Sequence, residues 1–180
     1  MPTTPEEINA ETEKLNAINY STVLSELSTA EDALEKSIKR YSLVDAPDES
    51  YVVQCLQTVP GIVDISAVTE DNDPNEHLNK AGGYTAQVFF SSNLIDQSSI
   101  YGTTLIDKGT DCGGSIEVYS NADDAVSREA YLAAFDGGIF TSGSHKVIGT
   151  VLVRTSNELT ASQQKELEAN IIAALTYIEE

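Results

Sequence analysis

The chain has 180 residues, of which 41% are hydrophobic, which is enough to bury one core with a small appendage but not two large domains. Aspartate and glutamate outnumber lysine and arginine by 29 to 10, and the formal net charge is −19 at pH 7. A surface of this sign repels nucleic-acid phosphates and anionic lipid headgroups, so we predict no direct binding to nucleic acids.

The first predicted element is a helix that begins next to Thr4. The Thr4 side chain is suited to cap free backbone N–H groups, Pro5 suits the first helical position, and Glu7 completes a capping box. The opening residues lack the basic region and the apolar run of a signal peptide. No stretch approaches the ~18 apolar residues that a membrane helix needs. We therefore predict no signal peptide and no transmembrane segment within this chain.

An apolar stripe follows on one side of a predicted helix. It consists of Leu24, Leu27, Leu34, Ile38 and Tyr41, which are spaced by 3, 7, 4 and 3 residues. This spacing places all five side chains on one helical face. The apolar stripe is suited to packing on the folded body, to binding a partner helix, or to self-association.

Residues 1–46 are therefore predicted to form a helical extension of one long helix or two shorter ones. A second capping box, Ser28 with Glu31, marks the point where a long helix would divide. Residues 45–48, Asp-Ala-Pro-Asp, are typical of a linker. Residues 49–180 are predicted to form the folded domain.

The folded domain mixes strand and helix patterns. Strands are predicted where apolar residues alternate or β-branched residues cluster, at residues 62–68, 84–90, 116–119 and 147–154. Helices are predicted where capping residues precede an apolar face, at residues 49–56, 121–135 and 160–178. Residues 91–112 have no firm period and are predicted to be irregular, with room for one short strand. This order predicts an α+β fold, with a mostly antiparallel sheet that carries helices on one face and follows the N-terminal helical segment.

The acidic loop EDNDPNEH, residues 70–77, offers oxygen ligands at alternate positions. Asp71, Asp73 and Asn75 match the first, third and fifth positions of a calcium loop, where alternate side chains converge on a hard cation. Glu76 and Gly82 depart from that pattern. A calcium loop needs glycine where this chain has Glu76, and it needs glutamate where this chain has Gly82. Two interpretations follow: a calcium site, or a turn in which Asp and Asn side chains bond the backbone of their own loop.

The remaining reactive residue types form no recognisable catalytic motif. His77 and His145 are the only histidines and lack the paired spacing of zinc ligands. Ser144 precedes His145, but no nucleophile elbow surrounds it. The acidic surroundings of Cys112 disfavour a thiolate. We therefore predict no catalytic residues, no cofactor-binding residues and no enzymatic activity.

The two cysteines, Cys55 and Cys112, leave two alternatives open. In an exported protein they could pair, which would stabilise the fold by ~4 kcal/mol in the chain-entropy model. Two buried free thiols are the other alternative.

Four segments resemble a known family: AVTEDNDPN at 67–75, GGYTAQVFF at 82–90, GTDCGGSIEVY at 109–119, and FDGGIFTSGSHKVIGTVLVRTSNELTASQQKELE at 135–168. They are similar to an uncharacterised domain of Gram-positive gut bacteria that occurs in predicted lipoproteins and envelope proteins. The resemblance covers about residues 50–178. It implies a mature lipoprotein domain without its signal and lipobox cysteine, with the N-terminal helices as a stalk.

Two functions from different classes are consistent with these features. The first is a non-enzymatic, extracytoplasmic binding or interaction domain of a bacterial envelope lipoprotein, which is membrane-anchored in its native form and binds a protein or surface ligand. The second is a cytoplasmic DNA mimic from a mobile element, which inhibits a nucleic-acid-binding defence protein through its negative charge.

Overall fold

A computed structural model describes residues 3–136 and 143–179 of the chain. The chain divides into two compact units, Met1–Lys39 and Arg40–Glu180. The first unit is helical, and the second contains an antiparallel sheet with its helices. The predicted α+β class and the predicted N-terminal helical segment are therefore confirmed.

Two helices, rather than one long one, precede the sheet. Helix α1, Pro5–Asn16, begins at the predicted capping box, in which Glu7 N–H donates to the Thr4 hydroxyl over 3.3 Å. Helix α2, Ser21–Ser42, runs unbroken through Ser28, so the division predicted there is wrong. The break precedes Ser21, whose N–H donates to the Asn19 side chain over 2.9 Å. Local side-chain bonds of this kind compete with helix continuation.

The side chains of both helices are exposed. Neither α1 nor α2 contains a buried residue, and each member of the apolar stripe keeps more than half of its surface exposed. Among the described residues, the first to enter the core is Val44. No described helix is both long and apolar enough to cross a membrane.

The second unit is built on five antiparallel strands in the order β1-β2-β3-β5-β4. The strands are β1 Ile62–Ala67, β2 Tyr84–Ser92, β3 Gly113–Tyr119, β4 His145–Ile148 and β5 Val151–Thr155. The helices are α3 Glu49–Gln57, α4 Leu105–Lys108, α5 Ala122–Ala133 and α6 Ala161–Leu175, and a 3₁₀ turn spans Gly109–Cys112. Helix α4 and the 3₁₀ turn occupy the segment predicted to be irregular.

Helices α3 and α6 cover one face of the sheet, which is apolar. The central strand β3 contributes Ile116 and Val118 to this face, and both are fully buried. Side chains of α3 and α6 pack against them, and these are Val52, Leu56, Leu167, Ile171 and Leu175. This cluster is the main core, since burial of one such side chain stabilises a fold by about 1.5–3 kcal/mol.

Helix α5 packs against the opposite face. Its buried residues Ala125 and Leu132 join Tyr84, Tyr119 and Leu152 in a second, smaller cluster. Two helices thus share one face as predicted, and a third helix covers part of the other. Alternation along β3 explains this arrangement, because its successive side chains point to opposite faces and all of them are buried.

The strand predicted over residues 147–154 is a hairpin of two strands, β4 and β5. Gly149 makes the turn between them with a φ of +59°, which other residues rarely adopt. A Cβ at this position would also lie 2.3 Å from the carbonyl oxygen of Val44. The β-branched residues on both sides of Gly149 make the segment resemble one strand, and the single-strand prediction is wrong because the chain reverses at this glycine.

The segment before α3 is part of the folded body. Val44 is 1% exposed, and its carbonyl accepts a hydrogen bond from Thr150 N–H over 2.9 Å. The Thr150 hydroxyl accepts Ala46 N–H over 2.7 Å. The helical extension was predicted to reach residue 46, whereas the second unit begins at Arg40. The contacts of Val44 and Ala46 with Thr150 place residues 44–46 in the second unit.

A fully buried carboxylate lies in the middle of β3. Glu117 accepts hydrogen bonds from Arg154 over 2.8 Å, from Arg128 over 3.2 Å and from the Tyr119 hydroxyl over 2.6 Å. Burial, followed by the charge of Glu117, raises the pKa of Tyr119, so its hydroxyl remains a donor. These contacts join β3 to β5 and to α5.

We expect the substitution Glu117→Gln to lower the free energy of unfolding by about 3 kcal/mol, because the two largely buried arginines would lose their counter-charge. Urea denaturation measures this change. Glu166→Gln on the exposed side of α6 is the matched control and should stay within about 0.5 kcal/mol of wild type. Equal effects of the two substitutions would contradict this structural role.

Candidate functional site

An open groove lies between α3 and α6. Its volume is about 580 Å³, which is within the range of ligand-binding pockets. Apolar and aromatic residues make much of its wall, and these are Tyr51, Cys55, Val59, Pro60, Ala173, Ala174 and Tyr177. Gln54, Thr58 and Asn170 add polar groups. We call this surface the α3–α6 groove.

The start of α3 and the end of α6 hold the groove together. Asp48 caps α3 by accepting Tyr51 N–H over 2.7 Å. The Tyr51 hydroxyl donates to the carbonyl of Leu175 over 2.7 Å, which links the two helices directly. Burial, together with the neighbouring Cys55, raises the pKa of Tyr51 to about 12, so this hydroxyl stays protonated. The Tyr51 ring is therefore a fixed wall of the groove.

Among the residues that the structure describes, none of those lining the groove is charged, although the chain as a whole carries −19. The side-chain amides of Gln54 and Asn170 each present a donor and an acceptor, the same pair that a peptide group presents. Both side chains are exposed. The groove is chemically suited to an uncharged ligand that combines an apolar surface with hydrogen-bonding groups.

Sequence analysis did not identify this groove. Its residues come from two separate segments, 51–60 and 170–177. Taken alone, each segment has a sequence typical of an ordinary surface helix and its end. The small pair Ala173 and Ala174, followed by Tyr177, is the feature of the second segment that lines the groove, and it does not reveal the opposing wall.

The predicted calcium residues lie in a loop whose central carboxylate, that of Asp73, already accepts hydrogen bonds from the protein. Asp73 accepts backbone N–H groups from Asn75 over 3.0 Å and from His77 and Leu78 over 2.7 Å each. It also accepts the Tyr84 hydroxyl. Burial alone would raise the pKa of Asp73, but these hydrogen bonds lower it. Asp73 therefore fixes the loop to β2.

Calcium binding by Asp71, Asp73 and Asn75 stays a prediction, and the hydrogen bonds that Asp73 already makes favour the turn instead. Asp71 is exposed, and the Asn75 amide contacts the Tyr84 hydroxyl over 3.4 Å. Within residues 3–136 and 143–179, no group of three or more His, Cys, Asp or Glu side chains is placed to hold a metal ion. The loop matches the alternative interpretation, a turn bonded to its own backbone, because both Asp73 oxygens serve loop and strand donors.

The neighbouring Ser144 and His145 face different partners. Ser144 donates to Glu168 over 2.9 Å and contacts the Thr155 hydroxyl over 2.7 Å. His145 instead lies between Glu129 and Asp136, each 3.1 Å from a ring nitrogen. Successive residues of extended backbone point to opposite sides, so the pair forms no nucleophile and base.

Both cysteines are free and buried. The Cys112 thiol contacts the carbonyl oxygens of Gly109 over 3.0 Å and Phe90 over 3.3 Å. Burial raises the pKa of Cys112 to about 11 and also raises the pKa of Cys55. Of the two alternatives for these cysteines, the structure has the free thiols, and neither is activated as a nucleophile.

We expect Asp73→Asn to lower the free energy of unfolding at pH 7 by ~1–2 kcal/mol, because a charged acceptor of hydrogen bonds is lost. The lowered pKa means that the contribution of Asp73 is complete above its ordinary value of 3.8 and disappears as the pH falls further. The variant should therefore lose less stability below pH 3.8 than wild type does. Denaturant titrations across this pH range measure both effects.

Asp71→Asn in the same loop is the matched control, and we expect it to leave stability nearly unchanged. Thermal unfolding with and without Ca²⁺ completes the comparison. A rise in melting temperature with Ca²⁺ that both substitutions abolish would restore the calcium interpretation and contradict the present one.

Comparison with protein-family models, with curated proteins and with solved structures gave no match to this chain.

Proposed function

We propose that this chain is a non-enzymatic binding domain of a bacterial envelope lipoprotein, and that the α3–α6 groove binds an uncharged, apolar segment of a partner protein. The observation that carries the proposal is that the described residues lining this groove include no charged one, in a chain with a net charge of −19. Charged segments gain nothing there, because burying a charge without a counter-charge is costly.

The polar groups of the groove favour a peptide segment as the partner. Gln54 and Asn170 can each donate to a carbonyl and accept from an N–H of an extended backbone. The apolar wall of Val59, Pro60 and Ala173 offers contact area for aliphatic side chains. Main-chain hydrogen bonds then contribute affinity, and the wall contributes selectivity for apolar side chains.

A non-enzymatic role is supported by the chemistry of the reactive residues that the structure describes. Ser144 has no histidine partner, and both thiols have raised pKa values. The bulk of the groove wall consists of groups that neither attack nor transfer protons at neutral pH.

The envelope assignment rests on the resemblance of residues 50–178 to domains of lipoproteins and envelope proteins. In this proposal α1 and α2 form a stalk between a lipid anchor and the binding domain. Neither helix has a buried residue, which is compatible with that role.

Ala173→Glu should weaken peptide binding at least about tenfold, or about 1.4 kcal/mol, because it places a charge in the groove. The probe is an array of synthetic uncharged peptides rich in leucine, phenylalanine and glutamine, with binding measured by fluorescence anisotropy. Ala169→Glu is the matched control, since Ala169 is exposed on the same helix outside the groove. Thermal unfolding verifies that both variants fold.

Two results would overturn the groove assignment. One is that no uncharged peptide binds the wild-type chain. The other is that Ala173→Glu and Ala169→Glu bind the same peptides equally well.

Expression from the complete native gene in its own host tests the envelope assignment separately. We expect intact mass spectrometry to find a lipid-modified protein in the membrane fraction, released by detergent. An unmodified chain in the cytoplasm would contradict the envelope role while leaving the groove assignment intact.

The DNA-mimic alternative is favoured by one observation, the net charge of −19. It requires salt-sensitive binding to basic nucleic-acid-binding proteins in competition with duplex DNA. If the cytoplasmic chain showed such binding at low salt, this alternative would replace the envelope proposal. If it showed none, the alternative would be excluded.

A further inference from the structure

The apolar stripe lies along an otherwise polar helix. Helix α2 has 22 residues and is therefore about 33 Å long. The five side chains of the stripe expose between 53% and 62% of their surface. Amphipathic helices of folded proteins usually bury such a stripe, so the surface is suited to a partner.

The spacing of the stripe is that of a coiled coil. When Glu31 is included, the positions 24, 27, 31, 34, 38 and 41 alternate in steps of three and four. This is the heptad pattern in which two helices meet along a narrow seam. A helix that packs into a globular core typically carries a wider apolar face. The pattern therefore indicates one partner helix.

The residues beside the seam allow close approach of that helix. Ser28, Ala30 and Ser37 flank the seam and are small, and Glu35 is the one large flanking residue between Leu27 and Ile38. Small flanking residues reduce the distance between two helix axes. They carry no charge and favour neither orientation of the partner helix, so charged residues elsewhere on the helix determine the orientation.

We propose that α2 pairs in antiparallel orientation with α2 of a second copy of this chain. In the register that matches all six seam positions, Leu24 lies against Tyr41 of the second copy. Leu27 then lies against Ile38 of the second copy, and Glu31 lies against Leu34 of the second copy. This pairing is independent of the α3–α6 groove.

The charge order along α2 selects the antiparallel orientation. All acidic residues of the helix precede all basic ones, in the order Glu26, Glu31, Asp32, Glu35, Lys36, Lys39 and Arg40. In the proposed register, Lys39 and Arg40 lie level with Glu26 and Ser25 of the second copy, on the outer sides of the two helices. The basic end of one helix is thus next to the acidic end of the other, and the long-range attraction is favourable. The two helix dipoles also oppose each other, which is favourable.

Parallel pairing would set like charges side by side. Glu31 would meet Glu31 of the second copy within the seam, where repulsion between carboxylates is strongest. A polar residue at one seam position sets orientation at some cost in stability. Glu31 is such a residue, because the antiparallel register places it against Leu34 of the second copy and not against a second carboxylate.

Sedimentation velocity of the full chain tests the pairing. The mass should rise from 19.3 kDa towards twice that value between about 1 µM and about 500 µM protein. Salt near 0.15 M is needed, because it limits the repulsion between the acidic copies to about 8 Å. Leu27→Glu should raise the dissociation constant at least about tenfold, whereas Ser25→Glu on the outer side of α2 should not.

A monomer at every concentration would overturn the proposal, as would equal behaviour of Leu27→Glu and Ser25→Glu. Far-ultraviolet circular dichroism of both variants establishes that α2 remains helical.

Disulfide trapping tests the orientation. Single variants Leu24→Cys and Tyr41→Cys are oxidised separately and as an equal mixture, and the joined peptides are identified by mass spectrometry. We expect the mixed product, which joins position 24 of one copy to position 41 of the other, to dominate. Predominant joining of position 24 to position 24 would establish parallel pairing and overturn the antiparallel proposal.

Discussion

The carboxylate of Glu117 is completely buried in the central strand of the sheet. A buried charge is tolerated only when counter-charges and hydrogen bonds surround it. Arg128 supplies one counter-charge from α5, Arg154 supplies another from β5, and Tyr119 adds a hydroxyl from the same strand. Neutralisation of Glu117 thus requires that β5 lie beside β3 and that α5 lie on the second face.

The two faces of the sheet consequently differ in chemistry. The first face is apolar and is packed by α3 and α6 through mostly aliphatic contacts. The inner faces of α3 and α6 pack in the core, and the adjoining outer edges of the two helices form the α3–α6 groove. The second face holds the buried charges. Binding and charge neutralisation are therefore separated, and the groove stays free of the negative charge that dominates the rest of the chain.

Acidic residues in this chain serve several structural purposes. Asp48 caps α3, and Asp73 fixes its loop to Tyr84. Both carboxylates have lowered pKa values, chiefly because hydrogen bonds from nearby N–H and O–H groups favour the charged form. The alternate spacing of Asp71, Asp73 and Asn75 resembled a calcium loop because turns and calcium loops draw on the same oxygen-bearing side chains.

Local signals in the sequence determined the helix start at Thr4 and the start of α6 at Thr160, whose side chain accepts Gln163 N–H in a capping box. They also determined the helical periodicity and the α+β class, because capping and periodicity act within a few residues. Tertiary structure decided the turn at Gly149, the docking of Val44, the partners of Glu117 and the two walls of the α3–α6 groove. Each of these depends on contacts between residues far apart in the chain. No local pattern encodes such contacts, because they exist only once the sheet order brings the residues together.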